Sequence, residues 1–170
     1  MADFEKAIPL ILKHEGGWVD DPDDLGGATN RGIIFKIFKL YAEQLGLPAT
    51  KEALKTLTEA QAKQIYKLQF WDKMRGDAIL DQQVANIIFD GFVNAGTNGI
   101  KIAQRVAGVD QDGVLGAKSI ATINAAAPKI IFEGIKDERI RYYHMIAERR
   151  EKNKKFLKGW LNRINSFVYK

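Results

Sequence analysis

The chain has 170 residues, of which 46% are hydrophobic, so its composition suits a folded domain and excludes general disorder. No apolar run approaches the roughly 20 residues that span a bilayer, and the absence of cysteine excludes disulfides, thiolate metal sites and cysteine nucleophiles. The net charge of +5 is concentrated in residues 136–170, where eleven Lys or Arg accompany four Asp or Glu, as in a solvated helix face or a surface for an anionic partner.

Helical periodicity dominates, and cap and stop signals divide the chain into helices. Asp3 can cap a first helix that runs to about Glu15, where Gly16 and Gly17 would end it. A polar, glycine-rich loop over residues 16–32 precedes a second helix over 33–44. Later helices are expected from Thr58 toward Trp71, from Asp81 to Gly96, from Asn98 to Gly108, from Ala117 to Ala126, from Pro128 to Arg150 and over 156–167. These elements predict an all-α fold with an irregular loop after the first helix.

The loop carries the residue types that a glycosidase needs. Such an enzyme uses a protonated carboxylic acid beside the leaving oxygen and usually a second carboxylate. A helix end and a neighbouring Trp18 would both raise the pKa of Glu15, as a general acid requires. The loop also offers Asp20, Asp21, Asp23 and Asp24. From the residues alone, a polar helix end or a calcium loop remain alternatives.

Three runs in this region form a recognisable pattern: E-G-G-W at residues 15–18, D-P-D-D at 21–24 and G-G-A-T-N-R-G-I at 26–33. The pattern closely resembles the signature of glycoside hydrolase family 108, the lysozyme-like N-acetylmuramidases of bacteriophages and bacteria. The run F-D-G-F-V-N-A-G at 89–96 extends the resemblance, and the remaining chain resembles a predicted peptidoglycan-binding region. The resemblance covers nearly the whole chain and implies a lysozyme-like helical domain followed by a C-terminal helical region.

The resemblance implies hydrolysis of the β-1,4 bond between N-acetylmuramic acid and N-acetylglucosamine, with Glu15 as the catalytic acid. Phage-type lysozymes place an Asp nine residues after the Glu and a Thr six residues later. Asp24 stands nine after Glu15, but Thr29 stands only five after Asp24, and counting back from Thr29 selects Asp23. We favour Asp24 as the second carboxylate, with Thr29 positioning water or sugar. Inversion or retention of the anomeric centre stays open, because it depends on the distance between the carboxyl groups.

Four further polar residues are candidates for substrate binding. Asn30 follows Thr29 in the loop, where it can contact a sugar or cap the next helix. Asp90 and Asn94 lie four residues apart and share one helix face, so they can face a cleft or tie loops to the helix. Gln104 can reach the cleft or lie on a helix surface.

We expect residues 1–96 to form the catalytic region and residues 97–170 the peptidoglycan-binding region, packed as one unit and monomeric. The two histidines lie far apart in sequence, so we expect no metal and no cofactor. The expected partner is the peptidoglycan glycan strand, with no nucleic acid and no stable membrane insertion. The start of the chain shows no signal peptide, which fits a phage or prophage endolysin made in the cytoplasm and released through a holin-type pore. The alternative function is a non-catalytic wall-binding or lysis-regulating protein.

Overall fold

The computed structural model describes residues 1–21 and 27–170, which are mostly helical. The prediction of an all-α fold is therefore confirmed. Short 3-10 turns cover Glu43–Leu45, Gly76–Ala78 and Glu151–Asn153, and a π turn covers Lys67–Trp71. In the described part of the chain the α-helices are α1 (Phe4–Leu12), α2 (Phe35–Tyr41), α3 (Lys51–Lys55), α4 (Glu59–Tyr66), α5 (Gln82–Ala95), α6 (Thr97–Ala107), α7 (Ala117–Ala125), α8 (Pro128–Arg149) and α9 (Lys154–Asn165). None of these described helices is both long enough and apolar enough to cross a membrane.

The predicted helix caps are formed by local hydrogen bonds. The side chain of Asp3 accepts from the backbone N–H of Glu5, and that of Asp81 accepts from Val84. Thr58 and Gln61 form the reciprocal capping box that opens α4. The expected cap at Asn98 is wrong, because α6 begins one residue earlier at Thr97.

The first helix ends earlier than the sequence predicts. Regular α-helical structure stops at Leu12, and the amides of His14 and Glu15 then bond three residues back, to Ile11 and Leu12. This tighter turn places Glu15 just beyond the helix rather than at its last position.

A small hairpin in the glycine-rich loop was not expected from the sequence. The strands β1 (Thr29–Asn30) and β2 (Ile33–Ile34) pair antiparallel, with Asn30 opposite Ile33. The expected second helix is correspondingly shortened to α2. Strands of two residues are too short to show alternation of polar and apolar side chains, so periodicity cannot reveal them.

The core is built around α5, which packs against α1, α6 and α8. Phe4, Trp71 and Phe89 meet edge to face in its centre. At the α5–α6 crossing, a Cβ on Gly99 would collide with the backbone of Gly91, so glycine permits this close approach. The helix α9 packs on α8 and returns the end of the chain toward α1.

Candidate active site

Glu15 lies just after α1 in a largely buried position, with its side chain 15% exposed. Its Oε1 accepts a hydrogen bond of 3.2 Å from Nη1 of Arg163 on α9. Its other oxygen, Oε2, lies against Gly32 in the hairpin turn, beside the hydroxyl of Tyr66. The two oxygens therefore have different surroundings, one cationic and one formed by the hairpin and α4.

The hairpin turn requires glycine at position 32. Arg31 and Gly32 have φ of +50° and +75°, as in the two-residue turns that join tight hairpins. A Cβ on Gly32 would collide with the carboxylate of Glu15 and with the Tyr66 hydroxyl. Tyr66 holds this turn by donating a 2.7 Å hydrogen bond to the carbonyl oxygen of Arg31.

Burial raises the pKa of Glu15 above its ordinary value. The charge and hydrogen bond of Arg163 act in the opposite direction, and the Asp90 carboxylate adds to the rise. The direction agrees with the sequence prediction, although burial of the carboxylate is the main cause. Trp18 is half-buried against the core, and the Lys55 ammonium lies 5.9 Å from the centre of its ring.

Arg163 is also held by a buried network of ion pairs. Its Nε donates to Oδ1 of Asp90 at 2.9 Å, and its Nη2 lies 2.8 Å from the same oxygen. The other oxygen of Asp90 accepts from Nη2 of Arg139 on α8 at 2.7 Å. Asp90 is fully buried and both its oxygens are engaged by guanidinium groups. We therefore assign Asp90 to holding the two arginines rather than to contact with a sugar.

The network continues to Asn94, one turn further along α5. Arg139 donates to the hydroxyl oxygen of Tyr143 at 2.6 Å, and Nδ2 of Asn94 donates to the same oxygen at 2.9 Å. Asn94 is only partly buried, and its side-chain carbonyl makes no hydrogen bond to the described residues. Asp90 and Asn94 share one helix face as expected, but of the two only Asn94 has a side-chain oxygen with no hydrogen bond to residues 1–21 or 27–170.

The loop candidates have different outcomes. Asp24 and its alternative Asp23 lie outside the described residues. Thr29 is half-buried in β1, and its hydroxyl donates to the carbonyl oxygen of Gly27 at 3.3 Å. Asn30 is buried, and its amide donates to the carbonyl oxygens at positions 54 and 55, at 2.9 and 3.0 Å. Asn30 therefore ties the hairpin to the end of α3, since both its amide hydrogens are used.

Gln104 is buried beneath the turn that follows α6. Its amide donates to Asp112 at 2.7 Å and to the carbonyl of Val114 at 3.0 Å, and its oxygen accepts from the amide of Gly113 at 2.9 Å. A fully buried side chain with these three bonds is not accessible to a sugar. The interpretation of Gln104 as a cleft residue is replaced by a role in holding this turn.

Three residues of the site were not selected from the sequence. Arg163 stands 148 positions after Glu15, in the basic C-terminal end that resembles a peptidoglycan-binding region, and neither feature indicates a contact with Glu15. Gly32 lies in the run at 26–33 that carries the resemblance, and neither Gly32 nor Tyr66 has a chemical signature of its own. Within residues 1–21 and 27–170, no group of three or more His, Cys, Asp or Glu is placed to hold a metal ion.

A largely buried glutamate that follows the first helix and lies beside a glycine turn, in a mostly helical fold, is what the resemblance to lysozyme-like glycosidases predicts. Known proteins agree with this class. The family described as Glycosyl hydrolase 108 matches residues 8–96, and the family described as Predicted Peptidoglycan domain matches residues 98–165. The chain belongs to the glycosyl hydrolase 108 family.

Among solved structures, the chain is similar to SagA of Brucella abortus, with 35% sequence identity and a TM-score of 0.80. The match covers 96% of this chain and 90% of that chain. A search of the curated proteins found no match. Family membership makes this protein a glycosidase that acts on peptidoglycan, and the second family match agrees with that substrate.

Proposed function

We propose that the protein hydrolyses the β-1,4 bond between N-acetylmuramic acid and N-acetylglucosamine, with Glu15 as the general acid. The observation that carries this proposal is the environment of the Glu15 carboxyl. It is largely buried, its pKa is raised, and it lies between a guanidinium and a glycine turn. These are the conditions under which a carboxylic acid stays protonated long enough to donate to a leaving oxygen.

The two oxygens of Glu15 suggest which one carries the proton. Oε1 accepts from Arg163, so the proton of the neutral acid belongs on Oε2. Donation to the glycosidic oxygen leaves a carboxylate, whose charge Arg163 then stabilises. The Tyr66 hydroxyl cannot take over the acid role, because burial and the nearby Glu15 carboxylate both raise its pKa.

The second carboxylate in this proposal is Asp24, with Asp23 as the alternative and Thr29 positioning water or sugar. Asparagine at each position separates the two, since only the working carboxylate should lose most of its activity on replacement. The anomer released first, followed by proton NMR, distinguishes inversion from retention.

Asn94 is the residue that we propose for sugar recognition. Its side-chain carbonyl, which makes no hydrogen bond within the described part of the chain, can accept the N–H of an acetamido group, which both sugars of peptidoglycan carry. Asn30, Asp90 and Gln104 instead use side-chain polar atoms in hydrogen bonds within the fold, so we do not propose them for sugar binding.

The test is release of reducing ends from purified peptidoglycan by the wild type and by Glu15→Gln. Borohydride reduction before hydrolysis identifies the new end, which should be muramitol rather than glucosaminitol. Glu5→Gln, which removes an exposed carboxylate from α1, is the matched control and should keep wild-type activity. Circular dichroism checks that each protein is folded. A folded wild type that binds the wall and releases no ends would establish the alternative, a non-catalytic wall-binding protein.

We also propose that the protein acts as an endolysin and needs a separate route to the wall. Expression in bacteria, with and without a pore-forming holin, tests this step. Lysis only when the pore is present supports it, and lysis without any pore contradicts it.

A further inference from the structure

We infer that Arg163 is a positioning residue for Glu15, which makes helix α9 part of the active site; this inference rests on the proposed role of Glu15. The chain segment around Glu15 is irregular, since α1 has already ended at Leu12. A guanidinium at 3.2 Å gives Oε1 a fixed partner. The carboxyl can then present only Oε2 to a substrate.

Arg163 can act in this way because it is itself fixed. Its side chain is 12% exposed, and Nε and Nη2 both lie within 2.9 Å of Oδ1 of Asp90. Asp90 is held in turn by Arg139, which is 1% exposed. A long side chain that is anchored along its length loses little additional conformational entropy when it binds Glu15.

The groups that face Glu15 come from three helices and from the residue next to it. They are Arg163 on α9, Asp90 on α5, Tyr66 on α4 and the adjacent His14. Burial lowers the pKa of His14, and the charge of Arg163 lowers it further, which disfavours a second cation beside Glu15. Arg163 is therefore the cation that counteracts burial at Glu15.

The hairpin does not supply a competing cation to this carboxyl. The side chain of Arg31, in the turn beside Glu15, donates through Nε to the carbonyl oxygen of Leu57 at 2.9 Å. This bond directs its guanidinium to the end of α3. Arg163 therefore limits the rise in the pKa of Glu15. Without Arg163 the Glu15 carboxyl would hold its proton too tightly, and the carboxylate left after proton donation would have no counter-charge.

The experiment measures the titration of Glu15 by carbon-13 NMR, with the signal assigned from its loss in Glu15→Gln. Arg163→Met should raise the midpoint by about one pH unit or more, since an opposite charge at this distance typically contributes that much. Arg163→Lys, which keeps the charge, should titrate close to the wild type. Arg105→Met is the matched control, because its exposed guanidinium pairs with Glu138 on α8 and not with Glu15.

Activity gives the second measurement. In Arg163→Met the alkaline limb of the pH–rate profile should move up with the NMR midpoint, and kcat should fall on the order of tenfold. A residue that merely supports the fold would lower the melting temperature and leave the limb in place. An unchanged Glu15 midpoint in folded Arg163→Met would overturn the inference, even if the wild type is an active muramidase.

A measurement on the wild type covers the case in which Arg163→Met does not fold. The nitrogen-15 signal of the Arg163 guanidinium should shift with pH at the same midpoint as the Glu15 carboxyl. A guanidinium signal that does not follow this titration overturns the inference. The NMR midpoints do not depend on turnover, so a wild type that releases no sugar ends refutes the proposed function separately.

Discussion

The guanidinium of Arg163 and the carboxyl of Glu15 are joined across 148 residues of sequence by a hydrogen bond of 3.2 Å. Glu15 lies in the segment that matches the hydrolase family, and Arg163 lies in the segment that matches the peptidoglycan family. The last helix, α9, thus contacts Glu15, which lies just after the first helix, α1. The division into a catalytic region and a peptidoglycan-binding region after residue 96 stays a prediction. It falls at Gly96, between α5 and α6, which pack on each other.

The stability of the protein should depend on pH through Glu15. A carboxyl whose folded pKa is raised contributes stability that is present below its unfolded pKa and is lost as the pH rises through the folded value. Replacement by Gln removes this loss. The unfolding free energy of Glu15→Gln minus that of the wild type should therefore increase as the pH rises from the unfolded to the folded pKa of Glu15. Urea titrations of both proteins from about pH 4 to about pH 8 measure the difference.

Glu5→Gln serves as the matched control for this pH series, because it removes a carboxylate that is exposed on α1. A difference between Glu15→Gln and wild type that is the same at every pH would mean that Glu15 titrates alike in the folded and unfolded chain.

Gly32→Ala should inactivate the enzyme by displacing Glu15. The new methyl group would overlap the carboxylate and the Tyr66 hydroxyl, and the φ of +75° is unfavourable for alanine. A shift of about 1 Å in a catalytic group commonly costs about a hundredfold in rate. The measurement is kcat on soluble peptidoglycan fragments, with Gly46→Ala as control, since that glycine also has positive φ but has nothing within 4 Å of its added Cβ. Equal losses in the two variants would point to backbone strain alone.

Asn94→Ala should weaken substrate binding and leave the fold nearly intact. The substitution removes the proposed acetamido acceptor, a change of about 1 kcal/mol that corresponds to about a fivefold rise in KM. Tyr143 keeps its bond from Arg139, so the melting temperature should change little. Marked unfolding with an unchanged KM would instead make Asn94 a structural partner of Tyr143.

Asn30→Ala should destabilise the fold and leave substrate binding nearly unchanged. The two carbonyl oxygens that Asn30 satisfies belong to Leu54 and Lys55, and the loss of these bonds should cost about 1–3 kcal/mol of unfolding free energy. Chemical denaturation measures this, with Asn165→Ala on the exposed end of α9 as control. A stable Asn30→Ala protein with a raised KM would instead indicate that Asn30 binds sugar.

The sequence predicted those features whose cause is local. Asp3, Thr58 and Asp81 cap helices by bonding to amides two or three residues away, so residue type and spacing suffice to find them. Glu15 was found through the run that surrounds it. The hairpin was missed because strands of two residues have no measurable periodicity.

Contacts between distant segments account for the other differences. Nothing near Arg163 in sequence indicates that it pairs with Glu15, because this contact exists only after α9 has packed on α8. The same applies to Gln104 and Asp90. Both are polar residues that could line a cleft. Only the folded chain shows that Gln104 bonds to a turn and that Asp90 bonds to two arginines.

Binding to peptidoglycan should depend on salt through the basic C-terminal end. Residues 136–170 carry a net charge of +7 from eleven cations and four anions, whereas the rest of the chain carries −2. Attraction between exposed charges is screened over about 8 Å at physiological ionic strength, so wall binding should weaken steadily as salt increases.

Lys155→Gln with Lys158→Gln, both exposed on α9, should reduce binding at low salt more than Lys6→Gln with Lys36→Gln, which removes the same charge elsewhere. Sedimentation with purified walls, using inactive Glu15→Gln as the parent, measures binding without digestion. Equal effects of the two pairs would show that total charge, rather than its position on α9, attracts the wall.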